Sequence, residues 1–155
     1  MSTPSIKAPK TTRHLEQLRA MARGELEPPA IARLIGFKLI SIDVGQSLFE
    51  LVAGPEHANP MGTLHGGIVC DVADAALGMA MASTLEDDES FTTLDLMVKF
   101  LKPIWSARLR ASAQLVKRTR SLGLLECDVT DEGPSLVARV YSTCMVLRGQ
   151  DAKGR

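Results

Sequence analysis

The chain has 155 residues, 45% of them hydrophobic, enough to bury one sizeable core and suited to a single domain. Lys plus Arg and Asp plus Glu each total 18, so the net charge is zero and no whole-molecule field argues for a nucleic-acid partner. Its three cysteines, Cys70, Cys127 and Cys144, lie inside apolar runs without metal-ligand spacing and read as reduced core thiols.

Residues 1–10 are polar, contain Pro4 and Pro9, and read as a disordered start without a signal peptide, which points to a cytoplasmic protein. Thr11 or Thr12 can cap a helix running to about Arg23, with Leu15, Leu18 and Met21 or Ala22 on one face and Gly24 as its stop. Pro28-Pro29 opens a short helical turn, Ala30 to Leu34, and Gly36 leads into a first strand, Phe37 to Val44. Gly45-Gln46 reads as a hairpin turn before a second strand, Ser47 to Ala53. After Pro55 the chain loops through Asn59 into the longest apolar run, Ile68 to Ala82, which is too short to span a membrane and carries two aspartates.

Four strand-like segments follow. Thr92 to Leu101 sets Leu94, Leu96, Val98 and Phe100 against Thr93, Asp95, Met97 and Lys99. Ala107 to Lys117, Leu122 to Thr130 and Leu136 to Leu147 alternate similarly, with Asp131 to Pro134 as the turn joining the last two. The sum is an α+β domain of six antiparallel strands and one buried central helix. Residues 1–34 form its helical extension, 35–148 the domain proper and 149–155 a polar tail.

The chemistry concentrates on the central helix. Its circumference is almost wholly apolar, which predicts burial on all sides. Asp74 sits in the middle of it, and a buried carboxylate without partners costs several kcal/mol or has its pKa driven upward. A group kept at that cost is a candidate for chemistry. Upstream, Asn59-Pro-Met-Gly-Thr-Leu-His65-Gly66-Gly67 places glycines where the helix begins, presenting unpaired N–H groups at its positive end.

Asn59, the His65-Gly66-Gly67 run, Asp74 and the segment Thr93 to Pro103, in this order and spacing, resemble the hotdog-fold acyl-CoA thioesterases of the phenylacetate-pathway (PaaI-like) type over residues 35–147. The resemblance implies a curved sheet wrapped around the long helix. It also implies homodimers, often dimers of dimers, with active sites at the subunit interface and acyl-CoA as substrate. No cofactor, metal, nucleic acid or membrane is implied. Asp74 is then the general base, or the nucleophile, facing Asn59 and Gly66 of the other subunit. The Gly66 N–H would hold the oxyanion, with Gly67 beside it in the substrate site; Asn59 would orient water or carbonyl, and Thr93 would hold the water.

Each role has a plainer counterpart. Asn59 can be a turn residue, Gly66 a turn glycine, His65 a positioning group, and Thr92 has the same chemistry as Thr93. Asp71 can raise the Asp74 pKa or simply face solvent, and Asp95, expected on the Thr93 face, reads as structural. For the phosphates of coenzyme A the candidates are Lys117, Arg118 and Arg120, in a turn where relatives carry a glycine and this chain has Thr119. The acidic run Glu86 to Glu89 would repel phosphates if it lay near the site mouth. Other readings are a non-catalytic acyl-CoA sensor, which need not keep Asp74, a hotdog hydratase with a different Asp/His arrangement, and an oligomerisation scaffold, which leaves the polar spacing unexplained.

Overall fold

The structure is a computed structural model that describes residues 11–133 and 135–153; the expected disordered start and Pro134 lie outside them. Helix α1 (Arg13–Ala22) begins where Thr12 accepts from the Leu15 N–H, as its cap chemistry requires, and it buries Leu15 and Leu18. Helix α2 (Ala30–Ile35) follows Pro29 and ends at Gly36, whose φ of +93° is the left-handed cap that glycine adopts without strain. Strands β1 (Lys38–Asp43) and β2 (Gln46–Ala53) then form a hairpin. Asp43 pairs with Gln46, so the turn residues are Val44 and Gly45, one position earlier than Gly45-Gln46. Gly45 has the positive φ, +71°, and this fixes the register.

Helix α3 (Gly66–Ala82) comes next, followed by β3 (Glu89–Phe100), β4 (Ala107–Arg118), β5 (Leu122–Thr130) and β6 (Leu136–Arg148). All pairings are antiparallel, in the order β1-β2-β4-β5-β6-β3, so β1 and β3 are the edges. Strand β3 starts at Glu89, three residues before the expected Thr92, and the expected polar tail opens with a 3-10 turn, Gly149–Ala152. Six strands at about 4.8 Å spacing would span about 24 Å if flat, twice the girth of a helix. Helix α3 nevertheless touches all six strands, which requires the sheet to curl around it. Ala73, Ala76 and Ala80 are fully buried between Val72, Leu77 and Met81, and their small size lets helix and sheet approach. The Ser47 hydroxyl donates to the Ala76 carbonyl at 2.6 Å, and Ser83 links the helix end to the Gly45 N–H at 2.8 Å.

The all-round burial expected for this helix is corrected. Val69, Val72, Ala73, Ala76, Leu77, Ala80 and Met81 are buried, but Asp71 and Asp74 are exposed, and Gly67, Cys70, Ala75 and Gly78 are half-buried. One sheet covers one side only, so a stripe of the helix stays open although its residues are as apolar as the buried ones. Cys70 belongs to that stripe, whereas Cys127 and Cys144 are the core thiols expected. Among the described residues no helix is long and apolar enough to cross a membrane.

Candidate active site

The loop entering α3 is built by its own polar groups. The Asn59 side chain accepts from the Met61 N–H at 2.9 Å and donates to the Thr63 hydroxyl at 2.8 Å, while its backbone carbonyl takes the Gly62 N–H. In the single chain Asn59 is therefore the organiser of a turn, the plainer of its two expected roles. His57 pins the loop to α2: its Nδ1 takes the Gly54 N–H and its Nε2 lies 2.9 Å from the Ile35 carbonyl.

His65 is the N-cap of α3, its Nδ1 accepting from the Gly67 N–H at 2.9 Å. That assignment matters twice. A neutral His65 so placed carries its proton on Nε2, and the Gly67 N–H, expected to face substrate, is already engaged. Among the described residues the Gly66 N–H has no acceptor. It is the first amide of the helix, at the positive end of the dipole. The Phe100 ring lies 3.1 Å from where a Gly66 Cβ would stand.

Asp74 lies eight residues along the same helix, so about 12 Å separates the two along the axis. Its side chain reaches solvent through the open stripe, yet desolvation is still the largest influence on it and raises its pKa; the Thr93 hydroxyl opposes this, and the Asp71 charge adds to it. Asp74 and Thr93 thus meet within one chain, and a bulge in β3 is the reason. Thr93 pairs with Cys144 and Asp95 with Thr143, leaving Leu94 as the extra residue. Paired residues share a face, so Thr93 points with buried Cys144 toward α3, whereas Asp95 points outward. The expectation that Thr93 and Asp95 share a face is overturned: strict alternation fails at Leu94. Asp95 accepts the Thr143 N–H at 2.9 Å and its carbonyl takes the Ser142 hydroxyl at 2.8 Å, a structural role that anchors the bulge.

The basic turn is occupied with itself. Arg118 bonds to Glu89 at 3.0 Å, and Thr119 Oγ1 accepts the N–H groups of Ser121 and Leu122 at 3.3 and 2.9 Å. Lys117 and Arg120 remain exposed. Glu89 is not part of a loop that repels phosphates; it opens β3, is buried, and pairs with both Arg118 and Arg148. A charge run in the sequence hides this cluster, because its partners lie 29 and 59 residues away.

Asp71 and Asp74 edge a cavity of about 690 Å³ between α3, the β1–β2 hairpin and the segment joining α1 to α2. A second cleft, about 380 Å³, opens at Gly66 beside Phe100 and Ile104. That the N-terminal segment would wall the first could not be read from the sequence, since it depends on where the segment packs against the distant α3 and hairpin.

The model of the thioesterase superfamily matches residues 61–138, which include the Gly66 and Asp74 regions. A phenylacetic acid degradation-related protein of Ralstonia eutropha JMP134 is 33% identical, with 83% of this chain and 98% of that one covered and a TM-score of 0.75. The PaaI protein from the phenylacetic acid degradation operon of Escherichia coli, 22% identical over 90% of this chain and 98% of its own, shares the fold at a TM-score of 0.77. The 1,4-dihydroxy-2-naphthoyl-CoA hydrolase of Listeria monocytogenes is 26% identical over 112 residues, 72% of this chain and 89% of that protein.

Proposed function

Since the chain belongs to the thioesterase superfamily, as a hotdog-fold thioester hydrolase of the PaaI-like type, we propose that it hydrolyses acyl-coenzyme A at sites shared by two subunits, with Asp74 as base. The observation that carries this is the placement of Asp74. It is a carboxylate without a paired cation among the described residues, it stands at the edge of an apolar cavity, and desolvation raises its pKa against the opposing influence of the Thr93 hydroxyl.

Asp74 in its ionised form takes a proton from water held with the help of Thr93, and the water oxygen attacks the thioester carbonyl carbon. The negative charge that develops on the carbonyl oxygen is held by the Gly66 N–H at a helix N-terminus, where one such donor is typically worth about 3 to 4 kcal/mol. The tetrahedral intermediate then expels the coenzyme A thiolate, which with a thiol pKa near ~8.5 leaves without a strong acid. The products are a carboxylic acid and coenzyme A, and no further cofactor is called for. Lys117 and Arg120 are free to meet the phosphates; Arg118 would first have to leave Glu89.

A single chain cannot place Gly66 and Asp74 on one carbonyl. Both must come within about 3 Å of the reacting group, and the helix rise holds them about 12 Å apart. A second copy, with the open stripe of one α3 against that of the other, supplies the missing half. Strand β3 is an unpaired edge bearing Leu94 and Phe100 at 53% and 57% exposure, the kind of edge that is covered in a working protein. An isologous dimer then carries two equivalent sites. On the outer sheet face Met97, Tyr141, Leu124 and Val116 form a further exposed apolar patch, suited to pairing two dimers.

The test is complementation. Gly66→Pro deletes the amide at the first helical position, where proline is well tolerated and His65, at ψ 130°, already has the backbone that precedes proline. Gly66→Ala, which meets the same Phe100 ring but keeps the N–H, is its control. Gly66→Pro and Asp74→Asn proteins should each be inactive toward acyl-CoA. After subunit exchange about a quarter of the sites should be wild type and active, because half the dimers are mixed and each holds one intact site. No recovery after verified exchange would place both groups in one chain's site and end the shared-site mechanism.

A further inference from the structure

The cavity beside Asp74 has a wall that the family-defining residues do not supply. From α3 comes Met79, and from the hairpin Leu39 and Phe49, but the far side is the connection from α1 to α2 with the start of α2, where Leu26 and Ile31 face the space. These two side chains are 45% and 49% exposed, so they offer apolar surface to the cavity without filling it. The connection has no regular structure of its own, yet bonds within the N-terminal segment brace it against α1 and α2. The Arg23 guanidinium pairs with Glu25 at 2.6 Å, the Glu25 N–H donates to the Ala20 carbonyl at 2.9 Å, and Arg33 reaches back to the Pro28 carbonyl at 2.7 Å. Pro28-Pro29 limits its backbone further. At the other end α1 is held by buried Leu15 and Leu18 and by the Arg13 N–H on Asp87. The strap is a built wall, and the cavity behind it has a volume typical of small-molecule sites.

The charge of the lining is one-sided. Glu25, Glu27, Asp71 and Asp74 border the cavity, with Lys38 as the cation among the lining residues; Glu25 is paired with Arg23 and Glu27 with Arg33, so among the described residues the carboxylates of Asp71 and Asp74 carry the unpaired charge. A second anion carried on the substrate's acyl group would meet carboxylates there and pay for desolvation against an apolar wall.

We infer that the strap joining α1 to α2, through Leu26 together with Ile31 of α2, forms the end wall of the acyl pocket and selects uncharged, apolar acyl groups by size. The inference rests on the thioesterase reading above and adds the specificity-determining residues to it. A bulky side chain at either position shortens the pocket. Its cost then falls on long acyl groups and spares short ones, since hydrophobic pockets discriminate by roughly 10–200-fold per misfitted methylene.

The experiment compares full-length wild type, Leu26→Trp and Ile31→Trp on acetyl-, butanoyl-, octanoyl-, dodecanoyl- and succinyl-CoA, and titrates each protein with the non-hydrolysable thioether analogues of butanoyl- and dodecanoyl-CoA by calorimetry. The kcat/KM ratio of dodecanoyl- to butanoyl-CoA should fall about tenfold or more in at least one tryptophan variant, and succinyl-CoA should be the poorer substrate of the four-carbon pair in wild type. Both positions are outside the buried core, and two variants guard against one that misfolds. An unchanged ratio in active variants overturns the inference and leaves the thioesterase reading standing. Thioether binding whose length preference shifts in the variants, without hydrolysis by wild type, sustains the pocket assignment and removes the catalytic one. Absence of thioether binding by wild type overturns both.

Discussion

Glu89 and Asp74 are carboxylates on neighbouring elements, and their surroundings drive them in opposite directions. Glu89 is buried, which by itself would push its carboxyl up, but the Glu86 N–H, Arg148 and Arg118 outweigh burial and hold it below the ordinary carboxylate range. Asp74 is the more exposed of the two, has no paired cation among the described residues, and lies above that range through desolvation and the Asp71 charge. Burial therefore does not mark the reactive acid here. The absence of a counter-charge does, because a paired carboxylate is a fixed anion whereas an unpaired one is poised to exchange a proton.

The largest effect is expected at Asp74 itself. Asp74→Asn should lower kcat by about two to four orders of magnitude, and at pH 8 the folded variant should melt at or above the wild-type Tm. The sign follows from linkage: a folded-state pKa raised above the unfolded one gives stability that is fully present below the unfolded pKa and lost as pH rises through the folded pKa. The amide escapes that loss. A lower Tm for the variant at pH 8, relative to wild type, would show that Asp74 is structural in the way Glu89 is.

Gly66→Pro should lower kcat by about 10²–10³, with Gly66→Ala much milder and melting curves of both close to wild type. Equal losses in the two variants would mean that the added Cβ, pressing on Phe100, matters rather than the lost amide.

Glu89→Gln leaves Arg118 and Arg148 without their anion. Loss of these charge-assisted bonds should cost about 2 kcal/mol and lower Tm by about 4–8 °C, with kcat nearly unchanged in the folded protein. The Glu89 contribution has the opposite pH sign. It is present above the unfolded pKa and lost as pH falls through the depressed folded pKa, so the gap in Tm between wild type and variant should close in acid. A kcat loss comparable to that of Asp74→Asn would dissolve the distinction between the two carboxylates.

The smallest effect is expected at Asp71, the charged neighbour of Asp74. Asp71→Asn removes the like charge near Asp74 and so lowers its pKa; the acid limb of the kcat/KM profile should move to lower pH, since more acidity is then needed to protonate the base. The shift should shrink in high salt, because Asp71 is exposed. An unmoved limb would assign the raised pKa of Asp74 to desolvation alone.

Much of the fold was legible in the sequence. Leu109, Ala111 and Ala113 alternate and are buried, the Thr12 cap stands where its hydroxyl is needed, and the family that the chain resembles was recognisable, with its match covering residues 61–138. Of the site, the identities of the candidate base and of the free amide were legible, but not their surroundings. Gly67 and Arg118 looked available from the sequence and are engaged by His65 and Glu89 in the structure.

The division has a physical cause. Periodicity, capping and motif spacing are relations among residues a few positions apart, and the backbone geometry of helix and strand turns them directly into faces and ends. Sequence alone therefore determined the central helix, the alternating strands, and the carboxylate and glycine it carries. The bulge at Leu94 that turns Thr93 toward Asp74, the open stripe on α3, the two arginines on Glu89 and the strap over the cavity depend on registers and contacts between distant segments. Only tertiary structure decided these, because a one-residue slip between strands reverses the face of every side chain beyond it without any change in composition or pattern.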